Sequence, residues 1–112
     1  MDDDKIRNAE TDALMQAILC IETEEEAYCF FEDLCTVAEI HSMEQRLQVA
    51  CLLRQKKTYN EIAQMTGAST ATISRVNRAL VWGKDGYQHI LDKMNEPTTK
   101  DEVRDESEWI ES

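Results

Sequence analysis

The sequence contains few of the residues that make turns. Only three glycines and one proline occur among its 112 residues. An all-β sandwich or barrel needs a turn about every 8–12 residues, so this composition excludes both architectures. The residues that dominate instead, such as Ala, Glu, Leu and Gln, form helices readily. The length fits one small domain, and we therefore expect a single all-α domain.

The chain also lacks several features that would point to other kinds of protein. It has no signal peptide and no apolar run that could cross a bilayer, so we expect a cytoplasmic protein without a membrane partner. No phosphate-binding loop or Ser/His/Asp arrangement is present, and we expect no catalytic residues and no enzyme. The four cysteines form no C-x-x-C pair, which argues against a metal site and predicts reduced, buried thiols.

Charge is distributed unevenly along the chain. The net charge is −11, from 23 acidic and 12 basic residues, and taken as a whole it disfavours binding to nucleic acid. However, residues 42–84 contain seven basic and only two acidic residues, whereas the segments before and after them are strongly acidic. A basic centre between two acidic arms is a pattern that the overall isoelectric point conceals.

Hydrophobic periodicity and capping patterns predict six helices. Three segments open with Thr-x-x-Glu, at Thr23, Thr36 and Thr58, the pattern of an N-terminal capping box. The predicted helices cover about 5–20, 24–35, 37–55, 59–65, 70–81 and 86–95. The first three are more apolar than one small domain can bury, which predicts a subunit interface. The domain is expected to span 1–96, followed by an acidic, flexible tail at 97–112.

Residues 58–81 have the pattern of a helix-turn-helix. Ala63 supplies the small residue at which the second helix crosses the first, and Gly67 tolerates the positive φ of the turn. Ile73, Val76 and Leu80 follow at the spacing of a core-facing helical stripe.

The outer face of the second helix is predicted to contact DNA. Short side chains at its start allow close approach to base edges, and arginine can bind guanine or phosphate. No acidic residue occurs between positions 62 and 84, where a carboxylate would repel phosphate. The residues expected to bind double-stranded DNA are Lys56, Lys57, Ser69, Thr70, Ala71, Thr72, Ser74, Arg75 and Arg78. Trp82, just after this helix, is expected to pack at the hinge of the reading region.

These residues also carry a family resemblance. Gln45-Arg46, Leu52–Arg54, Tyr59–Ile62, the block Gly67–Leu80 and Gly86-Tyr87 resemble the bacterial Trp repressor family, and most closely its Trp-repressor-like YerC/YecD group. The match covers about residues 27–94. The resemblance implies an intertwined, six-helix, all-α homodimer, and we expect a sequence-specific transcriptional regulator that acts as a repressor. Its two reading heads would bind a palindromic operator with half-sites about 34 Å apart.

The resemblance further implies an effector pocket between two arginines. Arg75 matches one of them. Arg46 matches the other only if the sequence of the third helix is aligned with the family pattern one residue out of register. A glycine and a serine that line the family's tryptophan site are replaced by Val76 and Ala79. These replacements predict a filled or reshaped pocket. The residues leave open whether the protein binds a small-molecule co-repressor, but tryptophan is not the expected effector. No cofactor is expected.

A second interpretation remains open from the residues alone. The same helix-turn-helix could dock on a protein partner, with the net charge of −11 keeping the chain away from DNA. Salt dependence of binding to duplex DNA discriminates the two, because phosphate contacts make affinity fall steeply as salt rises.

Overall fold

The computed structural model describes residues 5–95, and the predicted acidic tail at 97–112 lies outside them. The described residues form six helices and no strand: α1 (Ala9–Leu19), α2 (Glu24–Leu34), α3 (Val37–Arg54), α4 (Tyr59–Thr66), α5 (Thr70–Trp82) and α6 (Gly86–Asn95). The predicted all-α fold is confirmed. No helix in this part of the chain is long and apolar enough to cross a membrane.

Side-chain caps set most of the helix starts. Thr58 and Thr36 each form a complete capping box with the glutamate three residues later, in which side chain and backbone N–H groups pair reciprocally. Thr23 caps α2 by accepting from the Glu26 N–H at 3.0 Å, but the Glu26 carboxylate accepts from the Glu22 N–H instead of from Thr23. The capping signals therefore locate α2, α3 and α4 correctly.

The first helix begins later than the sequence predicted. It starts at Ala9 rather than residue 5, because the Asn8 side chain accepts a hydrogen bond from the Thr11 N–H at 2.8 Å and fixes the helix start there. The apolar pattern could not reveal this boundary, since residues 5–8 contribute no buried side chain.

The chain divides into two compact units. The described part of the N-terminal unit, residues 5–40, comprises α1, α2 and the start of α3 and contains no buried residue. Its two phenylalanines, Phe30 and Phe31, pack edge to face with ring centroids 5.6 Å apart. Beside them lies an open, mainly apolar groove of about 580 Å³, lined by Glu24, Ala27, Tyr28, Phe31, Glu32, Cys35, Val37 and Ile40.

The C-terminal unit, residues 41–95 of the described chain, contains the buried core. Helix α5 packs against both α4 and α6. The core side chains come from the end of α3, from α4, α5 and α6, and from the turn before α5: Val49, Ala50, Cys51, Leu52, Ile62, Ala68, Ile73, Val76, Leu80 and Leu91.

The prediction of buried thiols is wrong for three of the four cysteines. Cys51 is buried in the core, whereas Cys35 is half-buried and Cys20 and Cys29 are exposed. These three lie in the N-terminal unit, in whose described part, residues 5–40, no residue is buried. Among the described residues, no cluster of three or more His, Cys, Asp or Glu side chains could hold a metal ion.

Candidate nucleic-acid interface

Helices α4 and α5, with the turn between them, form the predicted helix-turn-helix, and we call residues 58–82 the reading head. Helix α4 ends at Gly67, which adopts the left-handed conformation with φ of 77° and donates its N–H to the Ala63 carbonyl at 2.8 Å. A residue without a Cβ adopts this conformation at little cost. The turn that the sequence predicted at Gly67 is therefore confirmed.

Helix α5 begins at a serine cap. The Ser69 hydroxyl accepts from the Thr72 N–H at 3.1 Å and also bonds the Thr72 hydroxyl at 3.1 Å. These bonds orient the first turn of the helix and occupy the Ser69 side chain locally. Ser69 thus has a structural role in the helix start, whether or not it also contacts DNA.

The two faces of α5 differ sharply. Ile73, Val76 and Leu80 are at most 8% exposed and face the core, as their spacing predicted. On the opposite side, Ala71, Arg75 and Arg78 recur at helical spacing and are all exposed. The side of α5 that could approach a partner therefore has short side chains near its start and positive charge farther along.

The remaining predicted contact residues lie around this outer face. Thr70 is exposed, whereas Thr72 and Ser74 are half-buried at its margins. No ion pair joins Arg75 or Arg78 to a carboxylate within the part of the chain that the structure describes. Both guanidinium groups are thus available to bind phosphate or base edges.

Lys56 and Lys57 lie in the connector between α3 and α4, directly before the Thr58 cap. The Lys57 N–H donates to the Leu52 carbonyl and the Lys56 N–H to the Leu53 carbonyl, the two bonds of a Schellman motif at the end of α3. Lys56 takes the left-handed position of this motif, with φ of 68°, where glycine is the usual residue. Its side chain is exposed and that of Lys57 is half-buried.

The prediction that Trp82 packs at the hinge of the reading head is wrong. Trp82 is 81% exposed and does not pack at a hinge. By helical spacing it lies on the same outer face of α5 as Arg75 and Arg78. An apolar residue at a helix end gives no local signal of whether another element covers it, so only its position in the fold shows its exposure.

The two arginines that the resemblance assigned to an effector pocket differ in environment. Arg46 is half-buried on α3, and Arg75 is exposed on α5. Val76, directly after Arg75, is 1% exposed and forms part of the closed core, and Ala79 supplies no hydroxyl. Because a branched side chain fills the core side of α5 at this point, the residues present do not fit a tryptophan site of the implied kind.

Gln45, which the sequence offered only as part of the family resemblance, connects α3 to the reading head. The Gln45 side-chain amide donates to the Thr66 carbonyl at the end of α4, at 3.2 Å. The two residues are 21 positions apart, and no local pattern predicts such a contact.

Comparison with known proteins agrees with this architecture. The sequence profile of the family described as Trp repressor protein matches residues 9–95. The uncharacterized protein YerC of Bacillus subtilis is 52% identical over 97 residues, which cover 87% of this chain and 93% of YerC.

Two solved structures are also similar to this chain. A TrpR-like protein from Eubacterium eligens has a TM-score of 0.77 and 51% identity over 80% of this chain and 93% of its own. A candidate Trp repressor from Staphylococcus aureus has a TM-score of 0.80 and 57% identity over 88% and 98%, respectively. With the fold, the profile and these relatives in agreement, the chain belongs to the Trp repressor protein family, a family of DNA-binding regulators and not of enzymes.

Proposed function

We propose that the protein is a sequence-specific transcriptional regulator that binds a palindromic DNA operator as a homodimer and represses transcription. The observation that carries the proposal is the outer face of α5, which presents Ala71, Arg75 and Arg78 to solvent. A helix with short side chains near its start can enter the major groove, where arginine recognises guanine or phosphate.

Charge supports DNA as the partner of this face. The reading head contains a single acidic residue, Glu61, whose carboxylate accepts a hydrogen bond from the Thr58 N–H in the capping box. Lys56 and Lys57 precede α4, the helix that crosses the phosphate backbone in helix-turn-helix proteins. We assign these lysines and Arg78 to phosphate contacts, and residues 69–72, Ser74 and Arg75 to the major groove.

The proposed homodimer rests on the apolar surface that one chain leaves uncovered. In the N-terminal unit, Leu34 is more than half exposed, and so are Tyr28 and Val37, which line the apolar groove. In the C-terminal unit, a cavity of about 470 Å³ is lined by Leu47, Ala79, Lys84, Gly86, Tyr87 and Ile90. Exposed apolar surface of this extent marks interaction sites, and a second copy offers the same surface in return.

The test is selection of bound duplexes from a random DNA pool by the purified full-length protein, at low and at near-physiological salt. We expect enrichment of a palindrome whose half-sites lie about one helical turn apart. Affinity for the enriched duplex should fall steeply with salt, because bound lysines and arginines release counterions from DNA. Absence of enrichment at both salt concentrations would contradict the proposal and favour a reading head that docks on protein.

A further inference from the structure

A side-chain hydrogen bond joins the end of α4 to α3. Thr66 is the last residue of α4, and its carbonyl belongs to the final turn, where intrahelical partners are absent. The Gln45 amide of α3 supplies a partner, donating to this carbonyl at 3.2 Å in a partly buried position. Both residues are half-buried, so water competes less well for this bond than at an exposed helix end.

Thr66 is also bonded on its other side. Its hydroxyl donates to the Ile62 carbonyl at 2.8 Å and accepts from the Ala68 N–H at 3.0 Å. The Gly67 N–H meanwhile donates to Ala63. The turn that sets the angle between α4 and α5 is therefore held by Thr66, and Gln45 links that turn to α3.

The core side of α5 next to Arg75 is closed to the effector that the resemblance implied. Val76 fills the core side of α5 next to Arg75, and it belongs to the same buried cluster as Val49 and Leu52 of α3. A ligand in this place would have to displace close-packed apolar groups, which is costly. The orientation of the reading head on α3 is instead set by the chain's own contacts.

We propose that Gln45 is a positioning residue that holds the reading head, through Thr66, in its DNA-binding orientation without a small-molecule effector. This inference rests on the proposed function and specifies its regulation: amino-acid ligands do not control operator binding. Gln45 contacts no DNA in this proposal, and it acts only by fixing the turn between α4 and α5.

The first part of the test uses the wild-type protein. Duplex selection is run in parallel without amino acids and with a mixture of all twenty, tryptophan included. We expect the same palindrome in both selections and operator dissociation constants that agree within about twofold. Enrichment that requires an amino acid would overturn the inference but leave the proposed function standing. No enrichment in either selection would overturn the proposed function itself.

The second part uses variants of Gln45, measured by fluorescence anisotropy on the enriched duplex and on an unrelated duplex. Gln45→Leu keeps the approximate size but leaves the Thr66 carbonyl without its donor. Losing such a partner is expected to weaken specific binding roughly 5- to 10-fold. Binding to the unrelated duplex and the salt slope should stay within about twofold, because the charged groups are unchanged.

Two further variants separate positioning from general destabilisation. Gln45→Lys restores a donor of similar reach and should recover most of the ratio of specific to nonspecific affinity, with the salt slope reporting its added charge. Ser42→Ala changes an exposed residue of the same helix and serves as the matched control. Equal losses on both duplexes, or a Gln45→Leu variant with wild-type specificity, would overturn the assignment of Gln45.

Discussion

The two units of the chain differ in how much apolar surface their described residues bury. The C-terminal unit contains every buried residue of the described chain, including seven that are at most 2% exposed. The described part of the N-terminal unit contains α1, α2, the start of α3 and two phenylalanines, but none of its residues is buried. Both units have well-capped helices, so the difference does not arise from local helix formation.

The comparison indicates where each unit obtains its stability. Isolated helices of 11 residues, such as α1 and α2, are marginal in water, and helices in proteins are stabilised chiefly by packing. The C-terminal unit supplies that packing from its own chain. The described part of the N-terminal unit buries no residue of its own, and the proposed second copy would supply this packing. Folding of this unit and dimerisation are then one event.

The largest expected effect comes from placing a charge in the N-terminal groove. Phe31 lines that groove and is only half-buried in one chain, so a single-chain view predicts a mild result for Phe31→Asp. If a second copy covers the groove, the carboxylate becomes buried without a partner. We then expect the dimer dissociation constant to rise at least about 100-fold. Sedimentation velocity across a range of protein concentrations measures it.

The matched control for this substitution is Asp33→Asn, which changes an exposed residue of the same helix. We expect it to sediment like the wild type. If Phe31→Asp also sediments like the wild type at every concentration, the groove is not the subunit interface, and the proposed reason for the difference between the two units fails.

The second effect concerns the core of the C-terminal unit. Leu52 is fully buried, and Leu52→Ala is expected to lower the free energy of unfolding by about 2–5 kcal/mol through lost burial and a residual cavity. Urea unfolding at fixed protein concentration measures this loss. Met65→Ala, at a residue 48% exposed on α4, should stay within about 0.5 kcal/mol. Similar losses at both positions would contradict the assignment of the core.

Local sequence signals account for most of the fold. The Thr-x-x-Glu patterns located the starts of α2, α3 and α4, since capping depends on residues three positions apart. The start of α1 was missed because Asn8 caps without such a pattern. Burial of the N-terminal cysteines was predicted wrongly because burial depends on what covers a helix face, which the local sequence does not specify.

The candidate site shows the same division. The core-facing and outer faces of α5 follow from the spacing of Ile73, Val76 and Leu80, which is local information. Gln45 and Trp82 could not be assigned from local patterns. The role of Gln45 depends on a partner 21 residues away, and the exposure of Trp82 depends on where neighbouring helices end.

A smaller effect is expected at the turn of the reading head. Gly67 has open space around its Cα but a φ of 77°, so Gly67→Ala should cost about 1 kcal/mol of stability from backbone strain alone. Gly86, the first residue of α6, also has open space and no such conformation. Gly86→Ala should therefore be neutral or slightly stabilising. Thermal unfolding of both variants measures the difference. Equal unfolding midpoints would contradict the prediction that the conformation at Gly67 requires glycine.

The smallest expected effect separates stability from DNA binding within the C-terminal unit. Lys56 occupies a left-handed position with φ of 68° that glycine favours. Lys56→Gly should raise the free energy of unfolding by roughly 0.5 kcal/mol, because relief of strain exceeds the added flexibility of the unfolded chain. The same change removes a proposed phosphate contact, so affinity for the selected duplex should fall and the salt slope should decrease by about one unit.

Lys56→Gln is the control, since it removes the charge but keeps the strained conformation. We expect it to weaken DNA binding as much as Lys56→Gly does, with stability close to that of the wild type. If Lys56→Gly weakens DNA binding and Lys56→Gln does not, the conformation of the connector, rather than the charge of Lys56, contributes to DNA recognition. Unchanged affinity in both variants would exclude Lys56 from the phosphate contacts, and only its structural position at the end of α3 would remain.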